Sequence, residues 1–474
     1  MIHACFVNMF FKFNGSGHTL WQWLFGIIGS LGYLLYGLEA AWLSPMTKYL
    51  QSTESPLGYP LSKYAISWIG SINCFASAFF VIPFSYSADK FGRKWIVIAT
   101  VTPSIISILL RLFVRNLIVL LVARALVGIA GAGIFVVIPI YVRELCQTNL
   151  IGTIGSLGAL LQNIGIVLMY LLGAYFDYYT LLWICLAFNV FMATMMIFAP
   201  ESPAYLVKRG HIDKAYSTVA FLRGVNENNA IVKNEIEHIQ RKEEEYKNIP
   251  RLGYREIFKN KSWRNGFIIM MLVWTTFGWN GALTIITYAS TVLEATDSNI
   301  NISPEIQSIS FPVISIIAAF TLTIVAERCG RKALHAGSYA LSGLSFSLLG
   351  GAMLCQKLGY MIPGWLPITC MIIAVGMFSS GVRSLPFIIC LEMFNFQVRA
   401  QITGIIQTYG WALASTQLLA FPTLIETFGL HQVWAFWSTA WRQPGYLPQQ
   451  STFNRPTLLW ATPFLTVPYP GLGV

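Results

Sequence analysis

Hydrophobic positions along the chain gather into long blocks that are apolar on every side, separated by short polar punctuation. A window of about 19 residues places such blocks at 21–46, 66–87, 95–113, 117–139, 152–174 and 180–199. After a charged stretch they resume at 265–289, 306–326, 333–354, 365–388 and 400–421. Each is long enough, at about 20 residues, to cross a ~30 Å hydrocarbon layer as a helix. A membrane strand would alternate with a period of two over about 10 residues, and these blocks do not alternate. Lipid offers backbone groups no partners, so helices remain. The pattern predicts an all-α membrane protein with six spans, a hydrophilic interruption and five more. A twelfth span starts at "VWAFWSTA", 433–440, and fails.

Composition agrees with that reading. The chain is 55% hydrophobic and 11% charged, with a mean hydropathy of +0.60. Its net charge of +11 raises the question of nucleic acid. Residues 201–264 hold 22 of the 51 charged side chains with both signs mixed, and the remainder gathers in short loops. That distribution describes topology and excludes a nucleic-acid stripe. The eight cysteines have no zinc-like spacing, so neither a disulfide framework nor a metal site is expected. No short apolar segment with a cleavage site precedes Trp21, so no cleavable signal is expected.

Lys and Arg in short loops set the orientation. The loop after span 2 carries Lys90, Arg93 and Lys94, the loop after span 8 carries Arg328, Arg331 and Lys332, and Arg143 and Arg399 follow spans 4 and 10. Those loops and the N-terminus are expected in the cytosol, in a multi-pass plasma-membrane protein. Arg111 and Arg115 fall on the outer side as exceptions. The sequon at Asn301 faces outward as a glycosylation candidate, while that at Asn14 faces the cytosol. Four units follow: an N-terminal bundle at 1–199, a cytoplasmic helical linker at 200–264, a C-terminal bundle at 265–440 and an aberrant tail at 441–474. The linker reads as a solvated amphipathic connector.

One phrase is written twice. "SADKFGRK" occupies 87–94, after span 2, and "VAERCGRK" occupies 325–332, after span 8. The same phrase at the same place in each half is what a parallel repeat of two bundles produces. The glycine permits a tight turn, and the basic residues hold the loop at the membrane face.

With "RALVGIAGAGIFVVIPIYVREL" (124–145), "PESPAYLVKRG" (200–210) and "LPFIICLEMFNFQVRA" (385–400), these phrases resemble the sugar porters of the major facilitator superfamily, and within them the insect facilitated trehalose-transporter-like branch. The resemblance runs from about 21 to 440. It implies two pseudo-symmetric six-helix bundles, the twelfth helix being missing or aberrant here. It implies a sugar or similar polyol as solute, moved by uniport or proton symport, with no cofactor and no covalent chemistry. It also implies a cytoplasmic charge network of Asp89, Arg93, Glu144, Glu201, Glu327, Arg331, Glu392 and Arg399 that latches the halves together. Two departures stand out: Ser85 replaces the glycine that opens the first phrase, and Ile151 replaces an arginine of the latch, leaving Arg143 as a substitute.

The family's sugar pocket is matched poorly. Its span-5 glutamine position holds Ala159, with Gln162 one turn on. The paired span-7 glutamines fall on Phe277 and Gly278, or on Trp274 and Thr275, depending on the anchor. The span-10 tryptophan is Phe387, and the span-11 asparagine is Gly410, followed by the expected Trp411. Each lost partner of a buried polar group costs about 1–3 kcal/mol, so ordinary hexose affinity requires substitutes. Gln162, Asn163, Asn280, Gln407 and Gln417 are the visible ones, beside Phe387, Trp411 and Arg383.

Charges inside spans are expensive and mark function by default. Glu39 and Arg124 fall where proton-coupled members of the family carry an acid–arginine pair. They are therefore read either as a coupling pair, as a structural ion pair, or as a Glu39 exposed to outer water. Arg383 either binds an anionic or hydroxyl-rich solute or pairs with an acid on a neighbouring span. His335 and the other five histidines are read as surface residues. After Ala440 come six prolines in 34 residues, which helix interiors tolerate poorly, so 445–474 is expected to be disordered. No nucleotide loop, metal cluster or nucleophile–base pair is present in the sequence, so an enzyme is not expected. A non-transporting sugar sensor or an inactive truncated form is the rival reading. A monomer is expected.

Overall fold

A computed structural model describes residues 19–113, 115–248, 258–296, 303–329, 331–383, 385–394 and 396–439. Within helices, the side chains at 148, 246–248, 322–329, 331–332, 387–388, 391–392, 396–397 and 400 also fall outside the description. Asn301 and the tail from 440 lie outside the described residues, as do the side chains of Glu327, Arg331, Phe387 and Glu392.

The described chain is helical apart from the connections between helices. Span 1 is Leu20–Ala41 continued by Leu43–Leu50, span 2 is Lys63–Phe91, span 3 Arg93–Phe113, span 4 Leu117–Leu145, span 5 Thr148–Tyr175 and span 6 Tyr178–Phe198. Spans 7 to 11 begin at Lys261, Pro304, Arg331, Trp365 and Phe396. Among the described residues, ten segments are long and apolar enough to cross a membrane. The 33-residue helix Phe396–Phe428 takes the eleventh place, and Leu430–Ser438 begins a twelfth.

Polar residues in the loops decide where helices start, because the first N–H groups need acceptors. Ser62 Oγ accepts from the Ala65 amide at 3.2 Å, Asn116 Oδ1 from Ile118 at 2.8 Å and Asn260 Oδ1 from Ser262 at 3.0 Å. Asp177 does the same for Thr180, and hydrogen bonds from Thr180 hold its carboxyl below the ordinary carboxylate range.

In lipid, close helix approach depends on small residues. A Cβ on Gly37 of span 1 would lie 2.2 Å from the Gln162 carbonyl oxygen of span 5, and one on Gly165 would lie 2.2 Å from that of Leu34. This contact of backbone on backbone fixes where Gln162 stands. Spans 1 to 6 pack among themselves, and span 2 lies along span 11 while span 5 meets span 8.

Two elements break the regular pattern in the second half. Span 7 is interrupted between Lys261–Gly278 and Ala282–Thr287, and resumes as Ala289–Ala295. In span 10 the helix Trp365–Met377 passes through a π-helical turn, Phe378–Val382, before Leu385–Met393. The Phe277 and Phe378 rings stack at 5.6 Å, joining the two irregular segments.

The segment between spans 6 and 7 is more than a solvated connector. Its helices Pro203–Lys208, Ile212–Arg223 and Ala230–Asn248 enclose a small core of Leu206, Ala215, Val219, Val232 and Ile236. It also sits on the first half. Buried Arg223 pairs with Glu235 at 2.6 Å and donates to the Leu145 carbonyl at the end of span 4 at 3.2 Å. Phe221 stacks on Trp21 at 5.0 Å.

His335 is not a surface residue. It is 2% exposed, packs edge-on against Tyr339 at 4.9 Å, and has Nδ1 3.3 Å from the Gly381 carbonyl oxygen. Its position near the start of span 9 looks like a loop in the sequence, but the ring lies beside the π-helical turn of span 10.

Candidate functional site

The first copy of the doubled phrase forms a charge hub. Arg93 Nε reaches Glu144 Oε2 at 2.9 Å, and its Nη2 reaches Glu144 Oε1 at 3.2 Å and Asp89 Oδ1 at 3.0 Å. Its Nη1 donates to the Ala88 carbonyl at 3.0 Å, so each of the three guanidinium nitrogens is engaged. Tyr205 lies against the guanidinium at 5.5 Å. Glu201 plays a different part from an ion-pair partner: its Oε1 accepts from the amides of Arg93 and Lys94 at 3.0 Å and of Ser202 at 2.9 Å, capping span 3. Carboxylates are favoured at helix N-termini. Ser202 Oγ donates to Glu144.

Arg143 is exposed and, among the described residues, has no carboxylate within ion-pair distance. It does not replace the arginine missing at Ile151; Arg93 and Ser202 satisfy Glu144 instead. Among described residues, the hub stays within the first half and its adjoining helices. Arg399 of the second half donates to the Phe394 carbonyl at 3.2 Å.

A second cluster is buried near the opposite end. Glu39 Oε1 accepts from Arg111 Nη2 at 2.6 Å, and Glu39 Oε2 lies 3.7 Å from Arg124 Nη1. Arg124 also donates to the Glu39 carbonyl at 2.9 Å and the Ile69 carbonyl at 3.3 Å. Both guanidiniums stack over Trp42, at 4.9 and 5.5 Å. Arg111 was expected outside as a loop charge, yet it is 4% exposed and is the nearer partner of Glu39. Exposure of Glu39 to outer water is excluded by its 2% accessibility. Nothing in a lone arginine two residues from a span's end separates a snorkelling side chain from one turned inward.

Between the halves, mid-span, a third set meets. Arg383, just beyond the π-helical turn, donates to Gln162 Oε1 across the interface. Trp411 packs edge-on against Tyr36 at 6.1 Å and Phe135 at 5.6 Å. Tyr33 and Tyr36 flank Phe135 at 5.5 and 5.1 Å. Asn280 lies in the break of span 7, with Nδ2 3.3 Å from Ser342 Oγ and a buried Oδ1 that has no partner among the described residues. Asn163 is turned to its own helix, donating to Ala159 at 3.0 Å. Gln417 is occupied by the break: with its amide turned, it donates to the Gly278 carbonyl at 2.6 Å and accepts from the Gly281 amide at 2.9 Å.

The departures at the family's amide positions belong together. A Cβ on Gly410 would lie 2.2 Å from Trp274, so the indole fills the space an asparagine would take. Overpacking costs about 1–3 kcal/mol, so Gly410→Asn is expected to lower the thermal midpoint in detergent. Adding Trp274→Ala is expected to recover at least half of that loss. Strictly additive losses in the cycle would show that the two positions do not share one space.

The other described polar contacts between the halves lie toward one end. Ser290 bonds Ser44 through its amide at 3.2 Å and its hydroxyl at 2.6 Å, and Ser415 Oγ donates to the Ser71 carbonyl at 3.2 Å. Lys48 meets Glu294 at 3.8 Å and Lys63 meets Glu426 at 3.2 Å. Tyr170 donates to the Ile286 carbonyl. The halves are thus sealed at the end away from Arg93.

Two helical halves that close at one end around a mid-span polar and aromatic set have an arrangement that recurs in secondary transporters built by internal repetition. Residues 6–441 match the family described as "Sugar (and other) transporter", and the chain belongs to it. It is 27% identical over 411 residues to the facilitated trehalose transporter Tret1 of Drosophila virilis, covering 86% of this chain but only 44% of that protein. It is 27% identical over 425 residues to the facilitated trehalose transporter Tret1-2 homolog of Drosophila simulans, covering 89% and 85%. The inward open xylose transporter XylE from E. coli superposes with a TM-score of 0.76 at 15% identity, covering 93% of this chain and 99% of that one. The proton:xylose symporter XylE bound to 6-bromo-6-deoxy-D-glucose gives 0.71 at 16% identity, covering 90% and 96%. These likenesses establish the major facilitator fold.

Proposed function

We propose that this chain moves a small polyhydroxylated solute, a sugar such as trehalose or a hexose or a similar polyol, across the plasma membrane by alternating access. The observation that carries the reading is the mid-span junction of Arg383 with Gln162 and of Trp411 with Tyr36 and Phe135. It lies where two halves meet whose other described polar contacts lie toward one end. Rocking about that sealed end opens or closes the cavity to each side in turn. The halves are residues 1–199 and 265–440, with 200–264 riding on the first and 441–474 as a tail. Gln162, Asn163, Asn280, Phe387, Arg383 and Trp411 are the proposed solute contacts, with Asn163 requiring a change of rotamer. Trp411 supplies the apolar face a sugar ring stacks on. The Arg93 end is cytoplasmic in this reading, and Glu327, Arg331, Glu392 and Arg399 complete the latch there. Asn301 is the proposed glycan acceptor on the other side.

Transport by a monomer needs no cofactor. Proton coupling through Glu39 requires its carboxylate to part from both Arg111 and Arg124 and to reach water during the cycle, whereas a facilitative cycle leaves the cluster intact.

The test is uptake of radiolabelled trehalose, glucose and polyols into proteoliposomes. Saturable flux is expected, with Trp411→Ala reducing kcat/KM at least about tenfold, the loss of one ring contact plus its burial. Solute binding without flux would instead favour a sensor.

A further inference from the structure

We propose that Arg383 is an anion subsite and that the preferred solute is a carbohydrate bearing one carboxylate, a sugar acid, rather than a neutral sugar. This rests on the transport reading above and names its substrate class.

A guanidinium in the middle of a membrane span is expensive and is normally paired or faces a water-filled cavity. Among the described residues, no carboxylate lies within ion-pair distance of Arg383. Its described partner is an amide oxygen, Gln162 Oε1, which carries no charge. The side chain nevertheless keeps part of its surface accessible, unlike Arg124, which is sealed at 0%. The sealed arginine already has Glu39, and the accessible one has none. The π-helical turn Phe378–Val382 directly precedes Arg383, whose amide donates to the Phe378 carbonyl at 2.8 Å. Such a turn re-aims the following side chain, and π-turns recur at functional sites. Here it accompanies a guanidinium directed to the opposite half.

The fork of an arginine matches a carboxylate in two parallel hydrogen bonds. One guanidinium balances one negative charge, so a carboxylate fits and a dianionic phosphate ester remains under-compensated. Gln162 holds the fork until the solute arrives and then offers its amide to the solute's hydroxyls. The same exchange breaks the bond between the halves, so an anionic solute would couple binding to their movement. Trp411, Tyr36 and Phe135 supply the face for the ring. The neutral-sugar amides are meanwhile displaced: Gly410 faces Trp274, and Gln417 holds the break of span 7.

The experiment is competition and uptake with the full chain in proteoliposomes, using radiolabelled glucuronate, glucose, trehalose and glucose 6-phosphate. The wild-type chain is expected to take up glucuronate saturably, with kcat/KM at least about tenfold above glucose, the discrimination expected of a charge-assisted fork. Arg383→Gln is expected to collapse the glucuronate-to-glucose ratio by a similar factor, and Arg383→Lys to restore part of it. Size-exclusion profiles check that each variant is folded. Should Arg383→Gln fail to fold, the wild-type selectivity alone decides. Neutral-sugar uptake that glucuronate does not inhibit overturns the anion subsite while leaving transport standing. A preference for glucose 6-phosphate overturns the carboxylate assignment. No flux of any of these solutes through folded protein overturns both readings together.

Discussion

Glu39→Gln is expected to lower stability by about 3–5 kcal/mol, the usual consequence of removing one partner from a buried ion pair. The substitution leaves two guanidiniums stacked on one indole with no counter-charge. The amide still accepts one hydrogen bond in place of the 2.6 Å contact from Arg111. It cannot offset the repulsion between two cations in a site from which water is excluded. The readout is the thermal midpoint and monodispersity of purified protein in detergent. Combining Glu39→Gln with Arg111→Met removes one of the two stranded charges and is expected to recover a large part of the loss. A midpoint within a degree or two of the wild type for the single variant would show that the cluster is solvated and not a buried pair. Glu39→Asp keeps the charge with a shorter reach, and separates packing from electrostatics. The same variants decide the coupling question: accumulation driven by a pH difference that survives in Glu39→Gln would remove Glu39 from any proton pathway.

Gly92→Ala is expected to be the second most damaging change, at about 2–4 kcal/mol. Gly92 has φ of +101°, a region where a side chain costs about 1–3 kcal/mol. A Cβ there would also stand 2.4 Å from Glu201 Oε2, displacing the carboxylate that caps span 3. Loss of a helix cap costs about 0.5–2 kcal/mol. Adding Glu201→Ala relieves the collision but not the backbone strain or the missing cap. The double variant should therefore recover only part of the stability. Ser85→Ala, at the family's other glycine position, inside span 2 one turn before Asp89, should stay within about 0.5 kcal/mol of the parent, as exposed substitutions do. If Gly92→Ala proves equally mild, the glycine does not serve the turn in the way argued. The doubled phrase thus has a physical reason in its first copy: a one-residue joint between two helices, with an acid seated where any side chain would go.

Several parts of the molecule were legible without coordinates because they depend on local composition. Spans are stretches of about twenty apolar residues, and the membrane leaves them one backbone conformation. Arg93, Asp89 and Glu144 were readable as a set because charged residues at a membrane face are few and the phrase that carries them is repeated. The mid-span residues Gln162, Asn280, Arg383 and Trp411 stood out as polar or aromatic exceptions. Arg111 did not, because two residues from the end of a span an inward-turned arginine and an outward-facing one are written alike. His335 was missed for the same reason.

What the sequence determined by itself was the order and approximate placement of the membrane helices, the position of the first of the two matching turns, and the membership of the family. What only the tertiary structure decided was which residues face each other: Arg111 with Glu39, Arg383 with Gln162, Trp274 with Gly410, and Glu201 with the start of span 3. The reason lies in the blocks themselves. A helix that is apolar all round carries no polar face to set its rotation, so its orientation comes from the close approach of neighbours such as Gly37 and Gly165, and contacts across hundreds of residues follow from that packing.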